Sequence, residues 1–451
     1  MQTLDSLADK LTSAHVSARG LVENCLERIA DPSGEGARAV VAVHASQARA
    51  MADAMDLLRH AGRSPGRYAG IPISLKDLVD IAGETTRAGS RVLDDAPAAT
   101  AHAPVVARLL AAGFIPMGRT NMTEFAFSGL GINPHYGTPS SPWDRATGRI
   151  PGGSSSGAAV SVADGMAFAG LGTDTGGSCR VPAAMCGIVG YKPTARRVPI
   201  TGVLPLSPSL DSVGPLANSV ACCAAFDAVL AGEAVAPVAP TPLAGLRFAV
   251  PTNMVLDDLD AEVAAAFERV LKRLADAGAA ISAVRFKEFG DIEDATAVGG
   301  FAGVEAFAWH RRLLAERGDA YDPQVRRRIV RGEAMNGADY VDLLAARRAI
   351  RASMDAATRD YDAVLMPTCP LVPPSIARLE QDAAEYNRVN LLQLRNPALG
   401  NFLDRCAISL PCHAPGEAPV GLMLMGQTMG DARLFSIAAA VEALLGAPEP
   451  T

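Results

Sequence analysis

Serine residues in a glycine-rich segment are the first side chains of this sequence that could do covalent chemistry. The run Gly153-Ser154-Ser155-Ser156-Gly157 fits the G-x-S-x-G pattern of a nucleophile elbow, with Ser155 in the middle. A serine on such a sharp turn attacks a carbonyl carbon and forms an acyl intermediate. The pattern would imply an α/β-hydrolase in which an Asp or Glu and then a His follow later in the chain.

The residues around Ser155 do not favour an elbow. An elbow needs a strong strand just before the serine, whereas residues 143–152 (WDRATGRIPG) are polar and contain glycine and proline. The chain also has no His-Gly-Gly-Gly oxyanion segment upstream. We therefore consider the elbow the weaker interpretation of these serines.

Other common active-site patterns find no support in the sequence. The glycine-rich run from Gly170 to Gly176 has its third glycine one place too late for a dinucleotide fingerprint, and no G-x-x-x-x-G-K-[S/T] motif occurs. The 7 scattered histidines show no H-E-x-x-H or comparable ligand spacing. We therefore expect no cofactor and no metal ion.

A longer set of motifs, distributed over nearly the whole chain, is far more specific. In chain order they are Gly70-Ile71-Pro72-Ile73-Ser74-Leu75-Lys76-Asp77, Thr120-Asn121-Met122-Thr123-Glu124-Phe125, Gly152-Gly153-Ser154-Ser155, Gly172-Thr173-Asp174-Thr175-Gly176-Gly177-Ser178-Cys179-Arg180, Pro182-Ala183-Ala184-Met185-Cys186-Gly187, Gly190-Tyr191-Lys192-Pro193-Thr194, Ser409-Leu410-Pro411-Cys412 and Pro419-Val420-Gly421-Leu422-Met423-Leu424-Met425-Gly426. Together they resemble the amidase signature family, in that family's order. The resemblance implies an α/β protein with the amidase-signature fold, in which a large, mostly mixed central β-sheet is flanked by helices.

The resemblance implies catalytic roles for three side chains. In that family the nucleophile is the serine of the Gly-Gly-Ser-x-Arg segment, here Ser178, and a relay serine at a cis peptide follows a glycine pair, here Ser154. The base is a lysine at the end of a strand, here Lys76. Lysine accepts a proton only when it is neutral, and burial behind the apolar residues 71–75 would lower its pKa. No histidine is placed by the sequence to take that role.

The resemblance also implies an oxyanion hole and a substrate pocket. The backbone of Thr175, Gly176 and Gly177 would form the oxyanion hole, because glycine lets N–H groups turn toward one point. Specificity in this family lies in variable loops, which we expect here at residues 126–131 and 299–384. The predicted substrate contacts are Ala126, Ser128, Ser155 and Arg395.

Some residues near these motifs have a structural interpretation, and some depart from the family pattern. Asp174 and Arg180 could touch substrate, but we favour a structural ion pair, and we expect Cys179 to be a packing residue. Ser156 stands where glycine is usual, which a helix start tolerates because serine is a good capping residue. Asp404 also stands where glycine is usual, so the substrate of a relative cannot simply be copied to this chain.

The elements that must position these residues alternate between helical and β-prone runs. Residues 1–65 are expected to be helical, with Ser17 as a helix cap. Further along, the predicted strands are 71–75, 114–117, 246–250 and 279–284, and the predicted helices are 105–112, 121–127, 156–166, 261–277 and a long stretch at 304–358. This alternation favours a buried sheet between helices.

We expect residues 1–451 to form a single amidase domain. N-terminal helices would occupy about 1–65, and the signature core about 66–231. Residues 232–245 (GEAVAPVAPTPLAG) are rich in alanine and proline, so they are either a linker or a long surface loop before the C-terminal half, 246–451.

Composition and charge limit the classes of partner and compartment. With 41 Lys and Arg against 48 Asp and Glu the net charge is −7, and no basic run stands out beyond the short Arg326-Arg327-Arg328, so we expect no nucleic-acid partner. The N-terminus lacks the pattern of a signal peptide, and no stretch of about 18 apolar residues could cross a membrane. The 8 cysteines are scattered, as is usual for reduced thiols. We therefore expect a cytoplasmic, soluble protein without a membrane partner.

The predicted function is hydrolysis of a small carboxamide to a carboxylic acid and ammonia or an amine, through an acyl-enzyme on Ser178. An alternative with the same fold is the glutaminase component of a transfer-RNA-dependent amidotransferase, which must recognise a substrate ammonium. Residues 388–403, near the expected pocket, contain Arg388 and Arg395 but no acid, which favours a neutral or anionic small amide. A catalytically silent binding protein on this scaffold is the alternative from another class. A homodimer is implied by the resemblance alone.

Overall fold

The computed structural model describes residues 2–446, which form an α/β fold around one 11-stranded sheet. Its strands are β1 (Val40–Val43), β2 (Pro72–Lys76), β3 (Ile115–Thr120), β4 (Ala169–Thr173), β5 (Val189–Lys192), β6 (Val213–Ala217), β7 (Arg247–Pro251), β8 (Ala280–Val284), β9 (Ala363–Pro367), β10 (Ala407–Pro411) and β11 (Gly421–Met425). Their spatial order is β1-β3-β2-β4-β6-β5-β10-β11-β9-β7-β8. The groups β3-β2-β4 and β9-β7-β8 pair in parallel, and the other neighbours pair antiparallel. The predicted large mixed sheet is confirmed.

Helices flank this sheet, and their bounds follow the predicted pattern in most places. They are α1 (Leu4–Thr12), α2 (Ala18–Ala30), α3 (Gly36–Ala39), α4 (Ala45–His60), α5 (Pro104–Ala111), α6 (Ser156–Ala163), α7 (Arg180–Cys186), α8 (Val220–Ala231), α9 (Ala261–Asp276), α10 (Lys287–Ala295), α11 (Phe301–Arg317), α12 (Pro323–Val330), α13 (Gly337–Ala357), α14 (Ile376–Gln381), α15 (Ala383–Phe402) and α16 (Asp431–Gly446). Ser17 caps α2 as predicted, since its side chain accepts a hydrogen bond from the Gly20 N–H.

The neighbouring strands β2 and β4 carry the part of the sheet that matters for function. Every residue of both strands is buried, as expected of parallel strands covered on both faces. Ser74 pairs with Gly170, and Leu75 pairs with Leu171. Because parallel strands end at the same edge of a sheet, the last residues of β2 and β4 come to lie side by side.

Three sequence predictions about elements are wrong. Residues 121–127 form no α-helix but only a short 3-10 helix, Glu124–Ala126, in which Phe125 and Ala126 both have positive φ values of 50° and 60°. The stretch 304–358 is not continuous but is broken into α11, α12 and α13, with the 3-10 helices Gly318–Ala320 and Arg331–Ala334 between them. Residues 1–65 also contain a strand, β1, which pairs with β3.

Residues 232–245 contain no helix or strand, and part of this segment packs on α16. The Thr241 N–H donates to the Ser436 carbonyl at 3.1 Å, and the Ser436 hydroxyl donates to the Ala239 carbonyl at 2.6 Å. Strands from both sides of the segment belong to the same sheet. We therefore propose a surface loop within a single domain rather than a linker between two. Within residues 2–446, no helix combines the length and apolarity needed to cross a membrane.

Candidate active site

Lys76 is the last residue of β2, and its side chain is fully buried at the edge where β2 and β4 end. Its Nζ donates hydrogen bonds to Ser154 Oγ and to Thr173 Oγ1, each at 2.8 Å. Burial lowers the pKa of Lys76 to about 7, although negative charge at Asp174 acts in the opposite direction. A large fraction of this amine is therefore neutral near pH 7, and in that state it has a lone pair that can accept a proton.

The segment before α6 brings Ser154 to this lysine. The Gly153-Ser154 peptide bond is cis, as the family resemblance predicts. The Ser154 carbonyl accepts a hydrogen bond from the Thr123 N–H at 3.1 Å, and Ser154 itself is fully buried. The next residue, Ser155, donates its N–H to the Ser178 carbonyl at 3.3 Å, so the two serine-containing segments are neighbours. The structure therefore brings Lys76, Ser154 and Ser178 into one place.

The loop between β4 and α7 presents Ser178 beneath a short run of backbone N–H groups. Gly177 has a φ of 130°, and a Cβ there would lie 2.8 Å from Pro397 Cγ, so only glycine fits. Its N–H donates to Asp174 Oδ1 at 2.8 Å, so it is already used and the prediction that it serves the oxyanion hole is wrong. Within residues 2–446, the N–H groups of Thr175, Gly176 and Ser178 have no such acceptor and remain available to a substrate oxygen.

A buried ion pair anchors this loop from below. Arg180 donates from Nη2 to Asp174 Oδ1 at 2.8 Å and from Nε to Asp174 Oδ2 at 3.0 Å, and both side chains are fully buried. Asn401 adds a hydrogen bond to the same carboxylate at 2.9 Å. Burial alone would raise the pKa of Asp174, but the Arg180 guanidinium outweighs it and holds that pKa well below its usual range. The favoured structural ion pair is therefore present.

A second carboxylate, which the sequence did not single out, holds Thr175. The Thr175 hydroxyl donates to Asp211 Oδ1 at 2.5 Å, and the N–H groups of Leu206 and Ser207 donate to the same carboxylate. Burial raises the pKa of Asp211 to about 6. Only tertiary structure brings Asp211, from the loop before β6, against Thr175, so no local spacing announces this contact.

Ser178 opens into a cavity of about 510 Å³, a size suited to a small molecule. Of the predicted substrate contacts, Ala126, Ser128 and Arg395 line this cavity, as do Thr175 and Gly176. Most of the wall is apolar and includes Phe127, Leu206, Leu210, Met254, Phe301, Leu394 and Phe402. The structure thus brings together an activated serine environment and a small, largely apolar chamber.

Ser155 does not line this cavity, so its prediction as a substrate contact is wrong. Its hydroxyl is fully buried, where it bonds to the Thr173 carbonyl at 3.3 Å and lies 3.4 Å from the Thr173 N–H. Within the described chain no strand lies between β3 and β4, so Ser155 has no preceding strand of the kind that a nucleophile elbow requires. The role of Ser155 is to fix the end of β4 next to Lys76.

The polar predicted contacts that do line the cavity are held by other groups. Ser128 donates its hydroxyl to Asn390 Oδ1 at 2.8 Å and accepts from the Tyr386 hydroxyl at 3.1 Å. Arg395 donates to the Asp257 carbonyl at 2.6 Å and lies 3.9 Å from Asp258. The guanidinium of Arg395 therefore has little capacity left for a ligand.

Comparisons with known proteins agree with this geometry. The model of the family "Amidase" matches residues 20–435. The 2-amino-5-chloromuconic acid deaminase of Comamonas testosteroni is 38% identical over 97% of this chain and 95% of its own. A subunit of the glutamyl-tRNA(Gln) amidotransferase of Chromohalobacter salexigens is 33% identical over 97% of this chain and 95% of its own. The crystal structure of an amidase superposes with a TM-score of 0.88 at 31% identity, covering 99% of this chain and 100% of that one.

The chain belongs to the Amidase family. It is accordingly a hydrolase that acts on carbon–nitrogen amide bonds, rather than a silent binding protein on the same scaffold.

The two departures from the usual amidase pattern both lie away from the cavity wall. Ser156 is buried at the start of α6, where its hydroxyl lies 3.4 Å from the Asn121 carbonyl. Asp404 forms ion pairs with Arg196 at 2.6 Å and Arg351 at 3.1 Å, in a left-handed conformation with a φ of 55°. Neither side chain lines the cavity, so neither substitution changes its chemistry directly.

The buried ion pair below the loop predicts a large effect on stability. Arg180→Ala should lower the free energy of unfolding by about 3–5 kcal/mol, because Asp174 is left buried and uncompensated. The matched control is Arg67→Ala, whose side chain is 54% exposed where it pairs with Asp5, so its loss should cost less than about 1 kcal/mol. Urea denaturation followed by circular dichroism compares the two variants, and equal shifts for both would contradict the anchoring role.

Proposed function

We propose that this amidase hydrolyses a small carboxamide to a carboxylic acid and ammonia or an amine, with Ser178 as nucleophile, Ser154 as proton relay and Lys76 as base. The observation that carries the proposal is the buried Lys76 amine, with a pKa of about 7, at 2.8 Å from the Ser154 hydroxyl. A base with a pKa near the working pH combines the correct protonation state with enough driving force for proton transfer.

In the first step, the Ser178 oxygen attacks the amide carbon, and its proton passes through Ser154 to neutral Lys76. Thr173 supports this transfer because its hydroxyl accepts one N–H of the amine at 2.8 Å and so fixes the nitrogen. The lone pair then faces Ser154. The charge that develops on the carbonyl oxygen would be stabilised by the N–H groups of Thr175, Gly176 and Ser178.

In the second step, the tetrahedral intermediate collapses, and the carbon–nitrogen bond breaks. The proton held by Lys76 returns through Ser154 to the leaving nitrogen, which departs as ammonia or an amine. A water molecule then attacks the acyl-enzyme carbon while its proton passes to Lys76. Breakage of the ester bond releases the carboxylic acid and restores the Ser178 hydroxyl, so that no external oxidant or reductant is needed.

A mechanism-based label tests the nucleophile directly. A fluorophosphonate should add one phosphonyl group to Ser178 and nowhere else, because Lys76 activates that serine alone. Burial raises the pKa of Cys179 far above its usual range, so its thiol should not react. Peptide mapping by mass spectrometry locates the label, and the Ser178→Ala protein is the control. A label on Ser155 or Cys179, or inactivation of the enzyme by a metal chelator, would contradict the mechanism.

The glutaminase alternative has one observation in its favour, the 33% identity to an amidotransferase component over nearly the whole chain. That function requires an acid that can bind the ammonium group of glutamine. Within residues 2–446 the cavity wall carries a single acid, the exposed Glu293, and two arginines, which favours a neutral or anionic amide instead. Assembly into a homodimer and a cytoplasmic location stay predictions.

A further inference from the structure

The short basic run of the sequence divides between solvent and the cavity. All three arginines lie on α12, and the first two face outward: Arg326 pairs with Asp319 at 3.2 Å, and Arg327 donates to the Gln324 side chain at 2.9 Å. Arg328 instead lines the cavity that contains Ser178. The run is therefore not a continuous basic surface, and its third member has a different task from its neighbours.

Arg328 has no partner of opposite charge. Its Nε is buried without a hydrogen-bond partner, and no residue between 2 and 446 forms an ion pair or hydrogen bond with its guanidinium. The Arg328 guanidinium carbon lies 5.0 Å above the ring of Phe127, a buried residue that also lines the cavity. A partly buried guanidinium without an acceptor is unfavourable, so such a group is retained where a ligand supplies the acceptor.

The charge on Arg328 persists at physiological pH. Burial lowers the pKa of Arg328 to about 10, and the neighbouring Arg331 and Arg327 act in the same direction. The group is therefore still protonated near pH 7. The second arginine of the wall, Arg395, differs because backbone carbonyls already accept its donors.

We propose that Arg328 binds a carboxylate of the substrate, so that the enzyme acts on monoamides of dicarboxylic acids. This inference rests on the proposed amide hydrolysis at Ser178. A planar guanidinium held against Phe127 presents a fork of N–H donors that matches the two oxygens of a carboxylate. The apolar wall between the two ends, which includes Leu206 and Phe301, would contact the hydrocarbon chain that joins the carboxylate to the amide.

Matched substrates test this assignment by kinetics. The acids are the monoamides of succinic, glutaric and adipic acid, and each is compared with the neutral alkyl amide of equal chain length. For the preferred acid, Arg328→Gln should lower the ratio of kcat/KM for the monoamide to that for the neutral amide by about 10- to 100-fold, because a charge-assisted pair is lost. Arg328→Lys should restore part of that ratio. Arg327→Gln should leave the ratio as it is, because Arg327 lies outside the cavity.

Equilibrium binding separates this inference from the proposed chemistry. Calorimetry with glutarate as the probe should show binding to Ser178→Ala and an affinity about 10- to 100-fold weaker when Arg328→Gln is added, the value of one charge-assisted interaction. If glutarate binds both proteins equally, or if the kinetic ratio is unchanged, Arg328 is not a carboxylate site. If Ser178 is not labelled by a fluorophosphonate but the binding difference persists, the proposed nucleophile fails while the carboxylate site stands.

Discussion

Ser178→Ala is expected to lower kcat by at least ~10⁴-fold while the protein stays folded. The covalent step has no other nucleophile, because Ser154 is buried against Lys76 and the Ser155 hydroxyl is bonded to the backbone of Thr173. Ser178 is small and lies at the cavity wall, so its truncation leaves the core unchanged. Release of ammonia from a small amide measures the rate, and circular dichroism reports the fold.

Ser155→Ala is the matched control for this experiment. It removes one hydroxyl from the adjacent segment, but that hydroxyl makes only long contacts of 3.3 and 3.4 Å with Thr173. We expect that variant to keep activity within about tenfold of the wild type, since weak hydrogen bonds contribute little net free energy. If Ser178→Ala retained more than a tenth of the activity and Ser155→Ala were inactive, the elbow interpretation would replace the one proposed here.

The chemistry-bearing residues could be predicted from the sequence because each lies within a run whose composition restricts the backbone. Gly177 fits its loop only without a side chain, and the apolar residues of β2 bury the lysine that ends this strand. Such local constraints are visible in a sequence. The order of the motifs along the chain then predicted the large mixed sheet, which the structure confirms.

The rest of the site depends on contacts between distant segments, which no local pattern reveals. Residues 121–127 have helical spacing, yet Phe125 packs in a left-handed conformation against His310 and Tyr321, far along the chain. Tertiary packing there outweighs helix propensity. Likewise, Arg328 resembles its two neighbours in the sequence, and only the position of α12 against the cavity distinguishes it.

Gly177 illustrates the same limit within a correctly predicted motif. The motif predicts that this glycine turns its N–H toward the substrate, but that N–H points to Asp174 instead. The carboxylate is held in place by Arg180 and by Asn401, which lies more than 200 residues later in the chain. The sequence shows that the loop needs φ values that only glycine adopts easily, but not which acceptor each N–H meets.

The second large effect concerns the base. If Lys76 is the base, kcat/KM should rise with pH along a limb centred near 7, because only the neutral amine accepts the Ser178 proton and burial lowers its pKa to about 7. Below that pH the protonated lysine cannot take part, and above it the rate should level off. Lys76→Ala should lower kcat/KM by about 10²- to 10⁴-fold and abolish the limb. The pH profile of both proteins on one amide measures this.

Arginine at the same position separates proton transfer from charge. Lys76→Arg keeps a positive charge near Ser154 and Thr173, but a guanidinium does not release its proton at any accessible pH. It should therefore be nearly as inactive as Lys76→Ala. Ser154→Ala should fall between these variants and the wild type, because a water molecule can partly replace the relay hydroxyl. An active Lys76→Arg enzyme with an unchanged limb would instead assign the pKa near 7 to another group, and Lys76 would then act only by its charge.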